Sequence, residues 1–171
     1  SKDFDPIVKN TLAKLPNQQA DSLIGAAANA FGMFGVNFLD GRTFMEAHIA
    51  MEGLMTHKGL TDDQLRDIEY GYRIAKHIAE EDIGQTVVVK NRAVLAVEAI
   101  EGTDNTIKRA IQLGKDNFTI VKVSKPQQDF RYDIPVIGPG TVNLCSKAEN
   151  IIIAVESEKT LMLNRDTIIA E

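Results

Sequence analysis

Three carboxylates, Glu98, Glu101 and Asp104, fall within seven residues where an apolar run ends in a Gly-containing turn. The run Ala93–Glu98 reads as a strand, and the residues after Gly102 open a helix. Loops that follow strands and precede helices commonly carry ligand groups, because the helix N-terminus offers unpaired N–H donors and a positive dipole end. A plain turn with Asp104 as a cap explains one carboxylate but not Glu98, whose strand neighbours are apolar. Oxygen ligands of this kind suit Mg2+, which takes one or two carboxylates and is completed by water and substrate phosphates.

A second group lies in Lys122–Pro135. Lys122, Lys125 and Arg131 are of the types that hold phosphate oxygens, Arg bidentately and Lys as a point charge. Asp129 and Asp133 are placed to orient those cations, and solvated surface charge is the plain alternative. Gly138-Pro139-Gly140-Thr141 offers a further phosphate contact at a helix start, without the spacing or the Lys of a P-loop. His48, His57 and His77 show no paired metal-ligand spacing, and no Gly-x-Ser-x-Gly elbow occurs. A cation-binding acidic patch beside a phosphate-binding basic patch fits a phosphoryl-group site.

The elements that must position these groups follow from periodicity. Phe4, Ile7, Val8, Leu12 and Leu15 predict a helix stopped by Pro16. Asn17 is a plausible cap for a second helix burying Leu23, Ile24, Ala27, Ala30, Phe31 and Phe34. Val36–Leu39 reads as a short strand before an Asp40-Gly41 turn. Phe44–Met55 is apolar but irregular, and a boundary is expected near 56–61. Thr61 and Gln64 form a capping-box pattern for a helix whose stripe is Leu65, Ile68, Tyr72, Ala75 and Ala79, closed by Gly84. Thr86–Lys90 and Ala93–Glu98 pair through Asn91-Arg92, although Arg is a poor second residue for a type I′ turn. That register sets Val89 opposite Val94, and Gln85 opposite Glu98.

Thr103 or Asp104 then caps a helix burying Ile107, Ala110 and Ile111 and ending at Gly114. Phe118–Val123 is a strand, 125–135 a structured loop, and Pro139 starts a helix burying Val142, Cys145 and Ala148. Ile151–Val155 and Thr160–Leu163 are strands, and a last helix starts at Asp166. The expected class is α+β (mixed α/β): a small mixed sheet with flanking helices and a mostly helical N-terminal remnant. The expected domains are 1–58, the remnant of an N-terminal α/β domain with its linker, and 59–171, a catalytic-type domain.

The chain has 171 residues, enough for one domain with a substantial core, and a formal net charge of −5, which argues against non-specific nucleic-acid binding. Its one cysteine excludes an internal disulfide and fits a reducing compartment. No apolar run approaches the length of a membrane span. The start lacks an initiator Met and a signal-peptide pattern, so a fragment of a longer protein is expected.

Several segments follow one another in a specific order: Asp82 to Val89; Leu95 to Asp104 with Arg109; Lys125-Pro126 through Pro135; then Ile137-Gly138 and Thr141. This combination resembles the C-terminal domain of the LpxI-type UDP-2,3-diacylglucosamine pyrophosphatases over roughly residues 60–171. Residues 1–55 resemble the end of that family's N-terminal domain. The resemblance implies a Mg2+-dependent hydrolase of lipid A biosynthesis. Such an enzyme cleaves UDP-2,3-diacylglucosamine to UMP and 2,3-diacylglucosamine 1-phosphate, at the cytoplasmic face of the inner membrane of a Gram-negative bacterium. It implies Glu98, Glu101 and Asp104 as the acidic group, with Asp104 first for metal binding or water activation and Glu101 as a second metal ligand. Gln85, Thr103, Lys122, Lys125, Gln128, Asp129 and Arg131 would position the diphosphate or the sugar, with Gly138 and Thr141 as further substrate contacts. Family members carry a fuller N-terminal domain and a site between the two domains. An incomplete pocket is therefore expected here, and the chain ends ahead of the family's last strand.

Two other readings compete. One is a non-catalytic module that binds a phosphorylated metabolite or nucleotide and needs no acidic metal site. The other is an acidic-turn domain serving as a homodimer surface, with Phe31, Phe34, Phe44 and Met51 exposed.

Overall fold

The computed structural model of the chain describes residues 20–170. The helix expected over residues 1–15 and the Asn17 cap lie outside the described residues. The elements are α1 (Ala20–Gly32), α2 (Asp62–Glu80), β1 (Thr86–Lys90), β2 (Ala93–Val97), α3 (Thr103–Gly114), β3 (Thr119–Lys122), β4 (Val136–Ile137), α4 (Pro139–Cys145), β5 (Ile152–Val155), β6 (Leu161–Met162) and α5 (Arg165–Ala170), with a single 3-10 turn at Glu46–His48. The main sheet runs β2-β1-β3-β5, and β4 and β6 form a separate pair. β1 is antiparallel to β2 and β3, whereas β3 and β5 are parallel. The fold is α+β, a small mixed sheet flanked by helices.

Alternation along the central strands assigns their two faces. Val87, Val89, Val121 and Val123 pack under α2 with Ala75 and Ala79. Val88, Ala96, Phe118 and Ile120 pack against Ile107 and Ala110 of α3 and Cys145 of α4. Cys145 is thus a core residue, and burial pushes its thiol up to about 11.

The capping box of α2 forms as the sequence predicts, with Thr61 and Gln64 satisfying each other's backbone N–H. Its buried face differs from the expected stripe. Asp67, Gly71, Ala75 and Ala79 turn inward, while Leu65 and Tyr72 are exposed. The cause is close approach: a Cβ on Gly71 would lie 2.7 Å from Val121 Cγ2. Only small residues fit that line, and Ile74 and Ile78 pack beside it. Gly84 does not close the helix either. Asp82 takes the left-handed conformation (φ 54°), and the Ile83 N–H returns to the Ile78 carbonyl.

The β1–β2 turn has Asn91 and Arg92 both at positive φ, 52° and 59°. Asp67, buried on α2, accepts from both turn amides, Asn91 N at 2.9 Å and Arg92 N at 2.6 Å. A carboxylate from another element thereby holds a turn that Arg92 disfavours. Val89 pairs with Val94 as expected, but the register shifts between Val88 and Val89, so Val88 pairs with Ala96 and Leu95 is the extra residue. The slip moves Glu98 by one position: its N–H bonds the Thr86 carbonyl, and the expected Gln85–Glu98 pairing does not form.

Near the N-terminus, Val36–Leu39 forms no strand, having no ladder partner among the described residues. In α1 the inward positions are the small ones. Ala28 is buried, and a Cβ on Gly25 would lie 2.8 Å from Tyr132 Oη. Ile24, Phe31 and Phe34, expected inside, are exposed, as are Phe44 and Met51. This segment lies along the 125–135 loop: Gly41 N donates to the Phe130 carbonyl, and the Arg42 guanidinium sits 3.9 Å over the Phe130 ring.

Where β3 and β5 end together, Glu156 takes over from the ladder. Its N–H bonds the Lys122 carbonyl at 3.2 Å. Its carboxylate accepts from Ser124 N (2.9 Å), Ser124 Oγ (2.8 Å), Lys159 Nζ (2.7 Å) and Lys76 Nζ (3.1 Å). Burial opposes ionisation of Glu156, but the hydrogen bonds from Lys159, Ser124 and Lys76 outweigh it and pull the carboxyl down from 4.5 to about 2.

Two outcomes follow from this packing. Asp67→Ala leaves two turn amides without their partner and should cost about 1–3 kcal/mol in urea unfolding; a loss of a few tenths would mean that the turn does not depend on Asp67. A carboxylate depressed on folding contributes fully above its unfolded value and loses that contribution as pH falls through its folded value. Glu156→Gln should therefore be destabilised at pH 7 and converge on the wild type as pH falls from 4.5 toward 2. A deficit constant across pH would exclude the charge as its cause.

Candidate functional site

The sequence places Thr103 or Asp104 at the cap of α3, but the structure places Gly102 there, at φ 79°. Only glycine takes that conformation freely. With the cap moved back one residue, the Thr103 hydroxyl is released from capping. It donates to Glu98 Oε1 at 2.8 Å and accepts from Lys122 Nζ at 3.1 Å. Lys122 also donates to the Val136 carbonyl at 2.9 Å, and Thr86 Oγ1 lies 3.4 Å from the Thr103 hydroxyl. Glu98 Oε2 accepts from the Gln85 N–H at 3.1 Å. That approach needs Gly84, where a Cβ would fall 2.2 Å from the Glu98 carbonyl oxygen.

The two patches read from the sequence therefore meet at one hydroxyl. Burial draws the Lys122 ammonium down from its ordinary value, while the charges of Glu98, Asp104 and Asp133 draw it up, and burial prevails. Asp104 is exposed in the first turn of α3 and accepts from Thr141 Oγ1 of α4 at 3.2 Å. This ties the starts of the two helices together. Gly138 caps α4 with extended backbone, a conformation open to any residue.

The remaining candidates are engaged in other ways. Glu101 accepts from Ala99 N, Thr106 Oγ1 and Arg109 Nη2 (2.8 Å). The hydrogen bond to its own amide, with Arg109 and others, holds its carboxyl below the usual range. Arg131 spends its fork on Asp129, Nε to Oδ1 at 2.9 Å and Nη2 to Oδ2 at 2.6 Å, which draws Asp129 down to about 2. Lys125 pairs with Asp82. Gln128 accepts from Lys125 N and donates to Asp133, so it braces the loop internally. Gln85 Oε1 is buried with no hydrogen-bond partner among the described residues.

Among the described residues, no three His, Cys, Asp or Glu side chains form a metal-holding group. Mg2+ does not require one when substrate phosphates and water complete its shell. The exposed carboxylate of Asp104 fits that role. The Glu101 carboxylate, committed to three donors, does not. Sequence reasoning missed the junction of Lys76, Ser124 and Glu156. Glu156 does carry the signal that marked Glu98, a carboxylate directly after an apolar strand.

The model of the LpxI C-terminal domain matches residues 51–171. The UDP-2,3-diacylglucosamine pyrophosphatase LpxI of Caulobacter vibrioides is 34% identical over 116 residues, covering 63% of this chain and 41% of that relative. The chain thus spans less than half the length of this curated relative. With the family's domain model matched over most of this chain, residues 51–171, the chain belongs to the LpxI C-terminal domain family.

Proposed function

We propose that this chain is the C-terminal part of a hydrolase that cleaves the pyrophosphate of UDP-2,3-diacylglucosamine, giving UMP and 2,3-diacylglucosamine 1-phosphate for lipid A biosynthesis. The observation that carries the reading is the Lys122–Thr103–Glu98 chain beside Asp104, in a domain of this family. In the reaction a water oxygen bonds to one phosphorus, the P–O–P bridge breaks, and the departing phosphate keeps the bridging oxygen. The water's proton passes to a carboxylate. Asp104 is the first choice for holding the metal or for that acceptor, and Asp133, whose charge also acts on Lys122, is the acceptor where Asp104 holds the metal.

Lys122 supplies the fixed cation for the diphosphate, and its orientation is held by Thr103 and the Val136 carbonyl. Glu98 orients Thr103 rather than meeting substrate. Gln85 Oε1, buried without a hydrogen-bond partner among the described residues, would meet a donor on the sugar or the N-acyl amide only if the side chains around it part. Arg131 reaches a phosphate only by exchanging it for Asp129. Mg2+, held by Asp104 with substrate oxygens, would neutralise phosphate charge when bound. No helix among the described residues is long and apolar enough to cross a membrane. We place the reaction at the cytoplasmic face of the inner membrane, where the acyl chains of such a substrate are anchored.

The test is UMP release from UDP-2,3-diacylglucosamine by the full-length protein, with and without Mg2+. General acid–base and charge-stabilising groups typically contribute about 10²–10⁴-fold, so Asp104→Asn and Lys122→Met should each lower kcat/KM by about that factor. Chelation of Mg2+ should abolish release. Wild-type rates in Asp104→Asn would remove that residue from the chemistry. A folded protein that binds the nucleotide but releases no UMP would favour the non-catalytic module. Thr103→Val keeps the side-chain shape and removes the hydroxyl bridge, so kcat should fall, with about 1–3 kcal/mol of stability lost for the partners left unpaired. An unchanged kcat would mean the bridge is incidental.

A further inference from the structure

We propose that Glu156, together with Lys76, is a positioning device that fixes the exit of β3, and with it both Lys122 and the loop 125–135, relative to the phosphoryl site. The inference rests on the phosphoryl-hydrolysis reading above and adds residues which that reading does not use. Lys122 is the last residue of β3, and the loop carrying Gln128, Asp129, Arg131 and Asp133 begins three residues later. Between them lies Ser124, 1% exposed, all of whose polar groups are held from outside the strand. Glu156 takes its N–H and its hydroxyl, and Lys76 donates to its carbonyl at 2.9 Å. On the strand side, the Lys122 carbonyl accepts the Glu156 N–H, and Val123 N donates to the Gln85 carbonyl.

The loop therefore leaves the sheet from a peptide clamped by one carboxylate and one ammonium on two different elements. A half-buried ion pair such as Lys76–Glu156 is an inefficient stabiliser compared with apolar packing. What it supplies here is direction, since its bonds to Ser124 and to the Lys122 carbonyl fix atoms within two residues of Lys122 or Lys125. Glu156 makes no bond to Glu98, Thr103, Asp104 or the Lys122 ammonium among its contacts, so it acts through the backbone.

The test combines kinetics with backbone amide hydrogen exchange on the full-length protein, comparing Glu156→Gln and Ser124→Ala with the wild type. Supporting groups of this kind typically cost about 10–100-fold when removed. Glu156→Gln should lose about that much in kcat with KM little changed. Amides 124–131 should be accelerated about tenfold more than those of β1, which rise only by the global loss of stability, as local opening requires. Ser124→Ala, which removes only the hydroxyl bond, should fall between. Wild-type kcat, or exchange in 124–131 that does not change, overturns the proposal. Faster exchange spread equally over β1 and α2 also overturns it, because that is what loss of stability alone would give. Should the wild-type protein release no UMP, the functional reading fails, and exchange confined to 124–131 still decides whether the clamp exists.

Discussion

The hydroxyl of Thr103 holds the site together, because it is where an ammonium from β3 and a carboxylate from the end of β2 meet. A single O–H accepts from Lys122 and donates to Glu98, so the two charges are coupled without touching. In a half-buried setting such a chain polarises along its length and resists reorientation. The arrangement depends on the backbone of Gly102. If Thr103 served as the cap, its oxygen would point to the amides of α3 and the bridge would be lost.

Two close approaches bring the partners to that hydroxyl. Gly84 lets the entry to β1 press against the Glu98 backbone, which allows the Gln85 N–H to reach the Glu98 carboxylate. Gly71 lets α2 ride against Val121 and Val89, which brings Lys76 to the end of β3. Neither glycine needs a positive φ. Both are places where a side chain would hold two elements apart.

The sequence showed most of the fold because its signals there are local. The capping box at Thr61, the β-rich runs at 86–90 and 93–97, and the apolar run at 152–155 each decide an element within a few residues. It failed where the answer is tertiary. The α2 stripe was read toward Leu65 and Tyr72 because periodicity alone does not register that Gly71 demands a small-residue face. The register at Glu98 missed by one because nothing in Ala93–Val97 marks Leu95 as a bulge. The acidic turn and the basic loop were legible as separate patches. Their meeting at Thr103 was not, since Lys122 at the end of β3 and Thr103 at the start of α3 come together only in the folded sheet. Asp67 under the hairpin is invisible for the same reason, and Glu156 shows only its place after an apolar strand, not its partner Ser124.

The charge balance around Lys122 constrains what can bind. Glu98, Asp104 and Asp133 all act on one ammonium, so the cluster carries an excess of negative charge. A diphosphate entering alone would gain Lys122 but face three carboxylates, and in a half-buried site that repulsion is only weakly screened. Arg131 offers little relief while its fork is closed on Asp129. Either the arriving ligand brings its own cation, or the Asp129–Arg131 pair must open. On the proposed function, a divalent ion held by Asp104 would meet the first condition with the fewest rearrangements. Such an ion would turn the acidic turn from an obstacle to phosphate binding into a support for it.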